Sequence, residues 1–256
     1  MPVLSIKNSD LYYLTNKAPL KSDINLALIH GAGQDSRAWE YQSDFLDHSH
    51  FNYYILDLPG HGKSTGRCYE DLEQYRDIIK IFIDNLDLNN IVLIGHSMGG
   101  RIAQLFAIEY PQYLLGLVLV GTGAKVKVTK TIMRMVIEDY ELFCSNAAKN
   151  SFSTKASESI KTPFYQRLLE QPKEICYLDF VANNKFDVRN KVKGIIIKTL
   201  IVAASEDILS APTHSIFLNT EIPGSTLKII KDSGHFMMQE KPEEFNTVLG
   251  KFLNSL

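Results

Sequence analysis

Short, nearly continuous apolar runs recur along the chain, and each is closed by a turn. Leu26-Ala27-Leu28-Ile29 stops at His30-Gly31-Ala32-Gly33, and Tyr53-Tyr54-Ile55-Leu56 at Asp57-Leu58-Pro59-Gly60-His61-Gly62. Ile91-Val92-Leu93-Ile94 ends at Gly95; Leu115 to Val120 and Leu200 to Ala203 follow, with Leu227 to Ile230 a weaker sixth. Runs this short and this apolar on both alternate positions read as strands covered on both faces by helices. Between them the period changes to three and four. Leu72, Tyr75, Ile78, Ile79, Phe82, Ile83 and Leu86 put one apolar stripe on a helix from Glu70 to Leu86. Ile102, Leu105 and Phe106 do the same after Gly99-Gly100 until Pro111 stops them, and Phe245, Val248, Leu249 and Phe252 form a last helix. Strands alternating with helices predict an α/β fold with a doubly wound, mostly parallel sheet. Its ligand site is expected beyond the carboxyl ends of the strands.

One stretch breaks the alternation. Ala124 to Asn190 contains no clear strand but several helical segments, such as Ile132, Met135, Val136, Tyr140 and Phe143. The expected organisation is a core from residues 1–123 and 191–256, with a helical insertion over 124–190 covering the carboxyl edge of the sheet. The chain's 256 residues are 45% hydrophobic and 22% charged, which fits one large globular domain and excludes a disordered chain. A net charge of −2 gives no electrostatic footprint for nucleic acid. The longest apolar candidate, Ile195 to Ala204, is interrupted by Lys198 and is too short for a membrane span. Residues 1–20 alternate apolar and polar side chains and do not read as a signal peptide. Cys68, Cys144 and Cys176 are odd in number and share no ligand spacing, so a reducing, cytoplasmic compartment is expected. Oligomeric state is left open.

The chemistry concentrates at Gly95-His96-Ser97-Met98-Gly99, between a predicted strand and a predicted helix. In that context G-x-S-x-G sets a serine on a sharp turn with its hydroxyl exposed, and the glycines let the two backbones approach. A serine hydroxyl needs a base, and the base needs an orienting acid. Ser233-Gly234-His235-Phe236 follows the last strand, and Ala204-Ser205-Glu206-Asp207 leaves the one before it. Ser97, Asp207 and His235 therefore stand in the order Ser…Asp…His.

With these residues the chain resembles the α/β-hydrolase superfamily over nearly its whole length. His30 to Gly33, with Trp39 following, is similar to that family's oxyanion loop, and Asp57 to Ser64 to the segment after its fourth strand. Gly95 to Gly100 resembles its nucleophile elbow. Asp207 with Pro212 behind it resembles the acid turn, and Asp232 to His235 with Glu240 to Glu243 the histidine loop. The resemblance implies Ser97 as nucleophile, His235 as general base and then acid, and Asp207 as the group that orients and charges the imidazole. It implies an oxyanion hole from the N–H groups of Met98 and Ala32, with Gly33 open as the alternative to Ala32. It also casts the insertion as the family's cap, with Met135, Phe143, Phe164, Tyr165 and Phe180 as candidate pocket walls.

Other signals are weaker. Gly62-Lys63-Ser64 imitates the end of a phosphate-binding loop, but Asp57 stands where its first glycine is required. Gly31-x-Gly33 and Gly121-x-Gly123 are not completed to a dinucleotide fingerprint, and His48-Ser49-His50 lacks a third ligand. His96, Asp57 and Asp232 read as structural neighbours of the motifs. No cofactor and no metal are expected. The leading function is hydrolysis of a small-molecule carboxylic ester through an acyl-enzyme. Thioesters, lactones and carbon–carbon bonds are alternatives on the same triad, and a non-catalytic ligand-binding protein is the contrasting class.

Overall fold

A computed structural model describes every residue except 1, 7, 8, 17–19 and 21. Two antiparallel strands, β1 (Val3–Ile6) and β2 (Ser9–Thr15), lie in the N-terminal segment of alternating apolar and polar residues. The six expected strands follow as β3 (Asn25–Ile29), β4 (Asn52–Leu56), β5 (Ile91–His96), β6 (Leu114–Val120), β7 (Thr199–Ala204) and β8 (Thr226–Ile230). Together they form one eight-stranded sheet in the order β1-β2-β4-β3-β5-β6-β7-β8. Strands β3 to β8 all run parallel, and β2 lies antiparallel against β4. The sheet is thus mostly parallel and doubly wound, as the alternation of elements predicts.

The helices are α1 (Glu40–Asp47), α2 (Leu72–Asn85), α3 (Met98–Glu109), α4 (Lys130–Glu138) and α5 (Tyr140–Asn150). They continue as α6 (Glu158–Glu170), α7 (Lys173–Lys185), α8 (Pro212–Glu221), α9 (Met237–Glu240) and α10 (Pro242–Leu253). Successive strand residues point to opposite faces, and the core divides accordingly. Ala27, Ile29, Leu93 and Leu119 pack with Tyr75, Phe82 and Phe106 of α2 and α3 on one face. Leu26, Leu28, Ile94 and Val118 pack on the other with Trp39, just before α1, with Leu46 of α1, and with Phe245 and Leu249 of α10. Every residue of β5 and β7 is buried, which is why those strands read as unbroken apolar runs. Truncating one of these large side chains, Phe106 for example, would cost about 3–5 kcal/mol.

Helices α1 and α8 carry no sequence signal of comparable strength. Each buries only two side chains, Gln42 and Leu46 in one and Ser215 and Leu218 in the other, so neither has an apolar stripe to read. Between β6 and β7 the chain runs through α4 to α7, and three of these four helices start at a side-chain cap. Thr129, Asp139 and Ser157 accept from the N–H groups of Ile132, Leu142 and Ser159. The base of this segment is closed where Lys125 bridges Asp187, backbone to backbone and ammonium to carboxylate at 2.9 Å.

Candidate active site

The sharpest local feature is the junction of β5 and α3. Ser97 sits there with φ 53°, in the left-handed region that a residue other than glycine enters only at a cost of order 1–3 kcal/mol. The turn is held from outside. Ser97 N–H donates to the Val120 carbonyl (2.9 Å), and the Thr122 hydroxyl donates to the Ser97 carbonyl (2.8 Å). A Cβ on Gly95 would fall 2.2 Å from the Gly99 carbonyl oxygen, and one on Gly99 2.4 Å from that of Ile29. Both glycines are therefore steric requirements of the turn.

The candidate acid and base, Asp207 and His235, are in contact. His235 Nδ1 donates to Asp207 Oδ2 at 2.7 Å, with both side chains buried. The other carboxylate oxygen of Asp207 accepts the N–H groups of Leu209 (2.9 Å) and Ser210 (2.8 Å), which fixes the plane of the group. Because Nδ1 donates, a neutral His235 ring keeps its Nε2 lone pair for a hydroxyl proton. The histidine loop is tied down by Glu240, whose carboxylate accepts the N–H groups of Gly234 (2.9 Å) and Ser153 (3.0 Å). Ser97 and His235 line the same cavity of about 350 Å³, although no hydrogen bond joins them here. Asp232, the other carboxylate near the histidine in sequence, is exposed and paired with Lys155.

The candidate oxyanion donors differ in their hydrogen bonds. Gly33 N–H is committed to Asp179 Oδ2 at 2.8 Å, whereas the N–H groups of Ala32 and Met98 have no protein acceptor among the described residues. Ala32 also lines the cavity beside Ser97. His96 packs beneath the turn, as expected. Its Nε2 donates to the His235 carbonyl (3.0 Å) and its ring lies 4.6 Å from that of His235. Burial, reinforced by the neighbouring His235, holds its pKa well below the ordinary value, so the ring stays neutral.

The cavity is walled mainly from the helical segment, by Met135, Phe143, Phe164 and Phe180 among others. The fifth expected wall, Tyr165, is not there. Helix α6 buries Phe164 and Leu168 on one face, which turns Tyr165 about 100° away, and its hydroxyl reaches Glu141 outside the cavity (3.3 Å).

Three polar residues, Asp179, His61 and Arg101, have roles that no local pattern states, and of them only His61 stands in a motif, the turn after β4. Asp179 of α7 is fully buried and accepts from Gly33 N–H, His61 Nε2 (2.8 Å) and Tyr75 Oη (3.2 Å). Burial opposes a charge on His61, but the Asp179 carboxylate outweighs it and raises the His61 pKa well above its usual value. His61, Cys68 and Asp179 lie close enough to suggest a metal site. Both imidazole nitrogens are already engaged, Nε2 with Asp179 (2.8 Å) and Nδ1 with the Pro59 carbonyl (3.1 Å), while Cys68 lies 3.9 Å from Nδ1. This is a hydrogen-bonded hub and not a ligand set. The third group is Arg101, one turn after Ser97 on α3, which is buried, lines the cavity and donates to Asn183 Oδ1 (2.8 Å). His48 and His50 stay exposed with no third ligand beside them among the described residues, and all three cysteines are free and buried.

Among the described residues no helix is long and apolar enough to cross a membrane. A model of the alpha/beta hydrolase family matches residues 26–248. The 2-hydroxy-6-oxononadienedioate/2-hydroxy-6-oxononatrienedioate hydrolase of Escherichia coli is 28% identical over 91% of this chain and 88% of its own length. Two solved structures share the fold. The enol-lactonase from Burkholderia xenovorans superposes with a TM-score of 0.92 at 20% identity, covering 99% of this chain and 100% of its own. An esterase from Exiguobacterium antarcticum superposes with a TM-score of 0.89 at 21% identity, covering 96% of each chain.

Proposed function

Because the chain belongs to the alpha/beta hydrolase family, we propose that it hydrolyses carboxylic esters of small molecules through an acyl-enzyme on Ser97. The observation that carries this reading is the convergence on one cavity of a serine held at φ 53° and a histidine bound to a buried carboxylate at 2.7 Å. In the first half-reaction Ser97 Oγ bonds to the acyl carbon while its proton passes to His235 Nε2. The oxyanion accepts from the N–H groups of Ala32 and Met98, each donor contributing about 3–4 kcal/mol to the barrier reduction. The tetrahedral intermediate collapses by breaking the bond to the alcohol oxygen, which takes the proton from His235. In the second half a water gives one proton to His235, attacks the acyl carbon, and releases the carboxylic acid as the proton returns to Ser97. Asp207 holds the ring and stabilises its charged form throughout.

The helices of residues 124–190 act in this reading as a cap that sets substrate range, and they supply four aromatic or thioether walls to a cavity sized for a small molecule. Three unpaired thiols favour a reducing, cytoplasmic setting. The test is a panel of p-nitrophenyl esters of rising acyl length, run beside an acyl-CoA, a lactone and a diketone, with fluorophosphonate labelling in parallel. Wild-type protein is expected to turn over the esters and to label once. Ser97→Ala should do neither. Ester turnover above about a thousandth of wild type in that variant would remove Ser97 from the role of nucleophile. Preference for the acyl-CoA, lactone or diketone would reassign the bond cleaved on the same triad.

A further inference from the structure

Arg101 is 4% exposed, and no carboxylate of the described residues lies within ion-pairing distance of it. One guanidinium nitrogen donates to the neutral Asn183 amide, and its buried Nε has no partner at all. Burial pulls its pKa down to about 10, against the opposing field of Asp207, so the group keeps its charge at neutral pH. A buried, charged and incompletely bonded guanidinium is costly to hold. Its position gives that cost a use. Arg101 follows Ser97 by one turn of α3, a rise of about 6 Å, and lines the same cavity. Lys127 lines it too, and no aspartate or glutamate does among the described residues. Asn183, itself fixed by donating to the Asp179 carbonyl (2.8 Å), holds the guanidinium fork in place from α7.

We infer that Arg101 is the counter-charge for a carboxylate of the substrate, so that the ester cleaved at Ser97 bears a second, free carboxylate a few bonds from the scissile carbonyl. This rests on the ester-hydrolase reading and narrows it to half-esters of short dicarboxylic acids. Arg101 binds and orients; it does not take part in proton transfer. A planar fork with a free Nε–H suits a carboxylate, which can accept two parallel hydrogen bonds from it.

The experiment compares monomethyl succinate, glutarate and adipate with the isosteric neutral monoamides of the same chain length, followed by proton release at constant pH. The wild-type protein is expected to favour the carboxylates in kcat/KM by roughly 10- to 100-fold, the worth of a hydrogen bond to a charged group. Arg101→Met should bring the ratio near one, and Arg101→Lys should keep part of it. A wild-type ratio of one or below, or a preference that survives in Arg101→Met, overturns the inference. If neither class of ester is turned over, the hydrolase reading is at fault, and the anion site is read directly by calorimetry with glutarate. Binding to wild type that disappears in Arg101→Met, with both proteins giving the same folded circular dichroism spectrum, supports the site. No binding to folded wild type rejects it.

Discussion

Removing the Asp179 carboxylate should destabilise the fold and slow the reaction together. Asp179 reaches from α7 to three donors on three other segments: Gly33 N–H beside the oxyanion loop, His61 Nε2 and the Tyr75 hydroxyl. Both members of the His61–Asp179 pair are fully buried. Asp179→Ala leaves a buried imidazolium and two further donors without an acceptor, and breaking a buried pair in this way costs about 3–5 kcal/mol. For a chain of this size that is a fall in Tm of roughly 6–20 °C. Asp179→Asn keeps the shape and one acceptor oxygen, so its loss should be smaller, but the charge that supports protonated His61 is gone. With its anchor released, Gly33 can carry Ala32 N–H out of line, and a displacement near 1 Å can cost about a hundredfold in kcat. Urea melts and ester turnover on wild type, Asp179→Asn and Asp179→Ala measure both effects. An alanine variant less than about 1 kcal/mol destabilised would show that the hub does not stabilise the fold, and one with unchanged kcat that it does not fix the oxyanion loop.

Asp207→Asn should reduce kcat by about four orders of magnitude, because an amide selects the wrong tautomer of His235, while Asp232→Asn should stay within a few-fold of wild type; the reverse ranking in a steady-state assay would move the acid to Asp232. Acid should destabilise the protein below the ordinary histidine pKa of 6.5. His30 is held down to about 4 and His96 well below 6.5 by burial, so the unfolded state binds protons that the folded state refuses. His61 has the opposite sign: its raised pKa gives stability that is present below 6.5 and lost as pH climbs through the raised value, so Asp179→Asn should flatten the alkaline limb of Tm against pH. Alanine at Met135, Phe143, Phe164 or Phe180 should shift acyl-length preference in the ester panel, whereas Tyr165→Ala, outside the cavity, should leave the profile unchanged.

What could be read in the sequence is what the chain encodes locally. Strands β3 to β7 are legible because burial writes itself as a run, the mostly exposed edge strand β8 reads more weakly, and the elbow is legible because a tight turn demands glycines two residues either side of Ser97. Ser97, Asp207 and His235 each stand next to such a signal, at a strand end. The hub has none: Asp179 meets Gly33 across 146 residues, His61 across 118 and Tyr75 across 104, and an aspartate in a mid-chain helix looks like any solvated one. Arg101 is masked in the same way, since a long cation just past a nucleophile reads equally as surface. The place of Tyr165 outside the cavity is not legible, because periodicity in a helix that buries only Phe164 and Leu168 does not fix which way the neighbouring side chain turns. What distinguishes Gly33 from Ala32 is a hydrogen bond to Asp179 that only the folded chain forms.

The most direct test of the account is the intact-protein mass of a sample quenched with acid during turnover of an activated ester. The account predicts one added acyl group per chain, mapped by peptide fragmentation to Ser97 and absent from Ser97→Ala. Steady turnover without any acylated protein, or an acyl group carried on another residue, would contradict it.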